Sequence, residues 1–235
     1  MNPSYKLSQI AIRGAVTTSL CLFGGLLLGF VLASGFHGLP MHLPESRRTQ
    51  ISMLIILVAL VGAGFAWGRA MARLAGATES GRMAWAGALS YGPAVILAAL
   101  TLGRLEVAII ERGDGPDVPV HVVFTLLFVP AAIFVAGMGG FSLGVAREGF
   151  RLAWRLSLAS GLAGGLAFLL INLVMHQLGW RVGAPGAAER ATMLTVLMAG
   201  SLGAALAGGA AIGVLLGSMD KRYVIREVSV ENQAS

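Results

Sequence analysis

Charge is what this sequence has least of. Asp, Glu, Lys and Arg make up 12% of its 235 residues, where a soluble domain carries roughly 25%. A water-solvated surface around a folded core is thereby excluded. Cysteine is nearly missing too. Cys21 stands alone inside an apolar run, which rules out a disulfide framework or a thiolate metal cluster. No acidic residue falls near the middle of any long apolar run, which argues against a proton- or sodium-driven pump built on a buried carboxylate. The basic residues sit in short segments between apolar runs. An anionic membrane surface, and not nucleic acid, is their natural counter-charge.

What is abundant is apolar surface and glycine: 56% hydrophobic residues and 33 glycines, with no collagen-like period. A spanning helix needs about 20 mostly apolar residues. Six stretches qualify, at 11–36, 51–74, 84–110, 120–146, 156–180 and 193–219. The fold class expected is therefore all-α, a polytopic integral membrane bundle of six transmembrane helices. Residues 1–219 form the one domain and 220–235 a short cytoplasmic tail. The first run spans 19 residues from Gly14 to Leu32, longer than the roughly 7–15 of a signal-peptide core, so it is expected to be retained.

Lys and Arg divide unequally between the two sides, eleven against six. The richer side holds Lys6, Arg13, Arg69, Arg73, Arg82, Arg147, Arg151, Arg155, Lys221, Arg222 and Arg226. The positive-inside rule puts that side, and with it both termini, in the cytoplasm. The location expected is a bacterial cytoplasmic (inner) membrane. Trp67, Trp85 and Trp154 near one interface and Trp180 near the other read as interfacial anchors.

Helices in lipid gain little from burying apolar surface against each other, so close backbone approach has to supply their contact. Glycines one turn apart on one helix face recur at Gly25/Gly29, Gly64/Gly68, Gly140/Gly144 and Gly161/Gly165, and as a ladder at Gly209/Gly213/Gly217. All are candidate packing positions. The segment Gly64-Phe65-x-x-Gly68-x-Ala70 is echoed 76 residues later by Gly140-Phe141-x-x-Gly144-x-Ala146. Pro93 and Pro130 lie inside the third and fourth spans. Each removes a backbone donor, and both are candidate hinges.

Gly140-Phe141-Ser142-Leu143-Gly144 spells a nucleophile elbow. Such an elbow needs a strand–turn–helix setting or a general base within reach, and neither is present. All four histidines (His37, His42, His121, His176) fall at the opposite side, and the last span has none. No catalytic residue is assigned, and Ser142 reads as a packing residue. The glycine clusters GAGFAWG and GMGG lie within spans and lack the strand that a phosphate loop requires.

Asn172 is the one amide well inside a span, and His176 follows on the same helix face. With His121 they are the candidates for a substrate path should a polar cavity open there. His37, His121 and His176 could hold haem or metal, although no His-x-x-x-His pair supports a site, so no metal is assigned and the cofactor stays unknown. The leading functional expectation is an accessory or scaffolding subunit of a membrane complex without a catalytic site. A small-solute or ion transporter is the alternative, and a haem- or metal-binding redox protein the second. The partners expected are the bilayer and other membrane proteins or further copies of the chain.

Overall fold

Long apolar stretches with no polar alternation satisfy their backbone polar groups in lipid by forming helices. The computed structural model describes the backbone of residues 3–39, 44–77, 80–111, 120–179 and 187–234. Side chains are described for 8–39, 44–77, 80–102, 125–179, 192 and 194–218. Among the described residues the structure is helical, with no strand. The first span is α1 (Pro3–Thr18) and α2 (Gly24–His37), joined by a π-helical turn at Ser19–Phe23. The others are α3 (Glu45–Leu74), α4 (Ser80–Glu111), α5 (Val120–Arg147), α6 (Phe150–Gln177) and α7 (Ala187–Ala234). Six of these helical units are long and apolar enough to cross a bilayer, which marks the chain as an integral membrane protein.

The helices begin earlier than the spans read in the sequence, at Pro3, Glu45, Ser80, Phe150 and Ala187 in place of 11, 51, 84, 156 and 193. The segment 147–155 was expected to be a connector, yet α6 already begins at Phe150. The turn before it needs only Glu148 and Gly149, because Gly149 adopts φ 92°, ψ −161°, a region essentially reserved for glycine. At the other end the helix α7 runs on to Ala234, through the segment expected to be a short tail. No glycine or proline follows Gly217 to stop it.

Each helix packs on the next in sequence, and α7 returns to α1, so the six spans close into a ring. Small residues set the seams. A methyl added at Gly64 or Gly68 would strike the backbone of α4 at Gly87 or Met83, and one added at Gly140 or Gly144 the backbone of α6 at Leu156 or Ala153. The two echoed segments therefore do equivalent work in two successive hairpins. Gly25 and Gly29 face Ala63 and Ala59 of α3, while Gly161 and Gly165 face Ile133 of α5. Gly209, Gly213 and Gly217 all face α1, through Thr18, Gly14 and Ile10. The contact of Ile10 with Gly217 places the start of the first span beside the end of the last.

The two halves of the ring are filled differently. Toward the end that carries Arg69, Arg73, Arg147 and Arg151, here termed the basic end, the centre is solid. Met71, Met83, Leu143, Leu152, Leu156 and Leu216 interdigitate there in one buried cluster. Toward the far end the bundle is hollow. The molecule is a cup.

Candidate functional site

The hollow is a cavity of about 420 Å³ lined by residues from all six spans, within the size range of small-molecule pockets. Its floor is Thr18, Trp67, Gly139, Ser160 and Ile212. Trp67 lies seven residues before the end of α3 at Leu74 and Gly139 eight before the end of α5 at Arg147, roughly 10–12 Å along a helix axis. Tyr91, Phe128, Phe168, Leu197 and Met198 contribute to the walls.

Trp67 was expected to anchor the protein at the membrane interface. It is instead 1% exposed, while Trp85 and Trp154 are 60% and 58% exposed on the outside of the bundle. The difference is one of helix face. Trp67 lies on the same side of α3 as Leu60, Ala63 and Met71, all buried. Its indole rests over Gly139, where an added methyl would stand 3.0 Å from the ring. The indole Nε1–H donates to Thr18 Oγ1 at 3.0 Å, and the Thr18 hydroxyl donates to Gly14 O at 2.8 Å. Three residues of two spans thus make a closed polar chain beneath the cavity, with no donor left over.

Tyr91 does similar work one level higher. Its hydroxyl donates to Leu22 O at 3.1 Å, a carbonyl inside the Ser19–Phe23 turn. A wide π-helical turn spreads its carbonyls and admits an outside donor. Ser160 Oγ lies 2.6 Å from Leu156 O and 2.9 Å from Ala136 O, which ties α6 to α5 beside the floor. The polar atoms at the floor and lower wall therefore face one another or the backbone, and the space presented to an occupant is mainly carbon. Among the described residues no Asp, Glu, Lys, Arg, His or Asn lines the cavity.

The residues singled out in the sequence are distributed elsewhere. Asn172 is buried and donates its side-chain amide to Phe168 O of its own helix at 3.0 Å. It touches the cavity only indirectly, by steadying the backbone of Phe168, which does line it. His176 is in the last turn of α6 and His37 ends α2 in an exposed position. Neither lines the cavity. His42 and Trp180 lie outside the described residues, as do the side chains of Lys6, Arg104, Glu106, His121, Lys221, Arg222 and Arg226. Among the described residues no three metal-ligating side chains converge.

Pro93 and Pro130 sit within α4 and α5, both on exposed positions. Phe128, Ala131 and Ala132 line the cavity on either side of Pro130. Ser142 is part of the uninterrupted helix α5. Its Oγ lies 2.8 Å from Ser90 Oγ of α4 and 2.9 Å from Gly139 O. The hydroxyl joins two helices.

The site residues missed in the sequence are Thr18, Trp67 and Tyr91. Each carries a polar atom within an apolar run, and in lipid such atoms seek a partner on a neighbouring helix. That signal was available, but which helix supplies the partner was not. Compared with known protein families, curated proteins and solved structures, the chain matches none.

Proposed function

We propose that the protein is a membrane carrier for a small, uncharged, apolar solute held in the central cavity. The observation that carries this reading is the cup itself: a cavity of about 420 Å³, walled by every span, free of charged lining residues among those described, and stoppered at one end by a packed core. A charged solute would lose its hydration there without a counter-charge, a cost of several kcal/mol or more. An apolar solute loses nothing comparable and gains dispersion contact with the walls. The glycine faces that favoured a scaffolding subunit are used between helices of this chain, so they lend that reading no further weight.

The orientation we propose remains that of a bacterial cytoplasmic membrane with both termini inside, supported by the eleven-to-six division of Lys and Arg. The basic end would then be cytoplasmic, and the cup would face outward.

Trp67 provides the test, because it forms the cavity floor. In full-length protein bearing Trp85→Phe, Trp154→Phe and Trp180→Phe, Trp67 is the sole tryptophan. Reconstituted in vesicles, its fluorescence should be quenched saturably by a short brominated alkane. Ala132→Phe, which fills the cavity, should weaken that quenching by about tenfold, equivalent to about 1.4 kcal/mol. Linear quenching that never saturates, equal in both proteins, would refute the reading.

A further inference from the structure

The route into the cup follows from how the first span changes neighbours. Below the π-helical turn, α1 lies against α7. A methyl on Gly14 would stand 2.5 Å from Gly209 O, and one on Gly213 would stand 2.9 Å from Ile10 O. Above the turn, α2 lies against α3 instead, with Gly25 on Ala63 and Gly29 on Ala59. α2 has left α7, and the two make little contact. Ser19–Phe23 is the point of divergence, touching α1, α3 and α7 alike. The extra residue in a π-helical turn shifts the helix face that follows, which is how one span serves two neighbours.

The result is a V-shaped cleft whose walls are also cavity walls: Leu26 and Phe30 on α2, Leu194, Met198 and Ser201 on α7. Phe30 is 44% exposed and Leu194 is 54% exposed, so neither is covered by a neighbouring helix where it lines the cavity. Phe30 lies seven residues, roughly 10 Å, from the end of α2 at His37. That depth is hydrocarbon, not water.

We infer that the cavity is filled sideways from the bilayer through the α2–α7 cleft, and that its occupant is a hydrocarbon chain, of the kind lipids carry. This rests on the carrier reading for the cavity and adds to it the substrate class and the path. Three features converge on a chain in lipid. The mouth opens at acyl-chain depth. Its walls are carbon apart from the Ser201 hydroxyl. The cavity beyond them ends on the Trp67 floor, so a chain enters tip first and stops there. A solute already dissolved in lipid gains no hydrophobic free energy on entry, so shape contact with the walls selects it.

The experiment uses full-length protein in vesicles containing a phospholipid with a photoactivated diazirine at the end of one acyl chain. After illumination, adducts are mapped by mass spectrometry. The expected result is labelling of the cleft at Phe30 and Met198 and of the floor at Thr18 and Trp67, with the floor adducts lost in Ser201→Phe. A two-chain phospholipid cannot reach the floor by an aqueous mouth, so floor labelling reports lateral entry. Adducts confined to outward positions such as Leu28 and Leu54 would overturn the inference. Floor adducts that persist undiminished in a folded Ser201→Phe protein would also overturn it. Should the phospholipid fail while the brominated alkane still quenches Trp67 saturably, the lateral route falls and the carrier reading stands. Failure of both removes both.

Discussion

At the scale of single residues, the polar atoms at the cavity floor are few, and those of Thr18, Trp67, Tyr91 and Ser160 are each hydrogen-bonded. Replacing Trp67 by Phe removes a 3.0 Å hydrogen bond to Thr18. Interhelical hydrogen bonds in membrane proteins average about 0.6 kcal/mol, because the partner finds another acceptor in the unfolded ensemble. Trp67→Phe should therefore lower stability by about that amount, read as a small shift in the unfolding midpoint in mild detergent. Gly149→Ala should cost more. The two-residue turn holds Gly149 at φ 92°, ψ −161°, where a side chain costs about 1–3 kcal/mol. A midpoint unchanged in Gly149→Ala would mean that the α5–α6 turn is not held as described. Of these residues, only the glycine's importance could be inferred from its type and place. Trp67 was misread because a tryptophan one turn or two from a span end is equally suited to the interface and the interior. Helix face decides, and face depends on neighbours.

At the scale of elements, the π-helical turn in the first span has the largest consequence. A hydrophobicity scan sees residues 11–36 as one uninterrupted run, since five residues wound more widely have the same composition as five wound normally. Inserting one alanine after Phe23, with the turn itself left intact, should rotate α2 by about 100° relative to α1. Gly25 and Gly29 would then turn away from Ala63 and Ala59. The expected outcome is a protein that still inserts but unfolds at a markedly lower temperature, since two seams cannot be satisfied together. An insertion variant as stable as the parent would show that the register set at the turn does not decide the partners of the span. The same scale covers α5. Pro130 stands between cavity-lining residues, so Pro130→Ala should leave expression intact and slow uptake of the solute. Uptake at the parental rate would remove Pro130 from the moving parts.

For the whole molecule, the ring has a solid half and a hollow half, and the two should respond differently to substitution. Met71 and Leu156 are fully buried in the solid half. Truncating either to Ala should destabilise the protein by about 2–5 kcal/mol through the cavity left behind. Ala132→Phe in the hollow half adds a side chain to space already empty, so stability should hold while alkane binding falls. Equal loss of stability in both halves, by thermal unfolding, would contradict the cup.

The number of spans, their helical state and the uneven division of basic residues were legible in the sequence alone. Lipid leaves the backbone no alternative to helix, and each span must satisfy that demand by itself. The glycines that line the seams were legible for the same local reason: a residue without a side chain shortens the distance to any neighbour. Which neighbour, and what lies between, was not. Gly25 pairs with Ala63 and Gly209 with Thr18 because six helices close a ring, and ring closure is a property of all six at once. The cavity is a further step removed. Space bounded by Trp67, Tyr91, Phe168 and Ile212 belongs to no segment, since it exists only where the six spans together fail to fill their centre. Composition prescribes the surface that faces lipid; tertiary packing alone decides where carbon is missing.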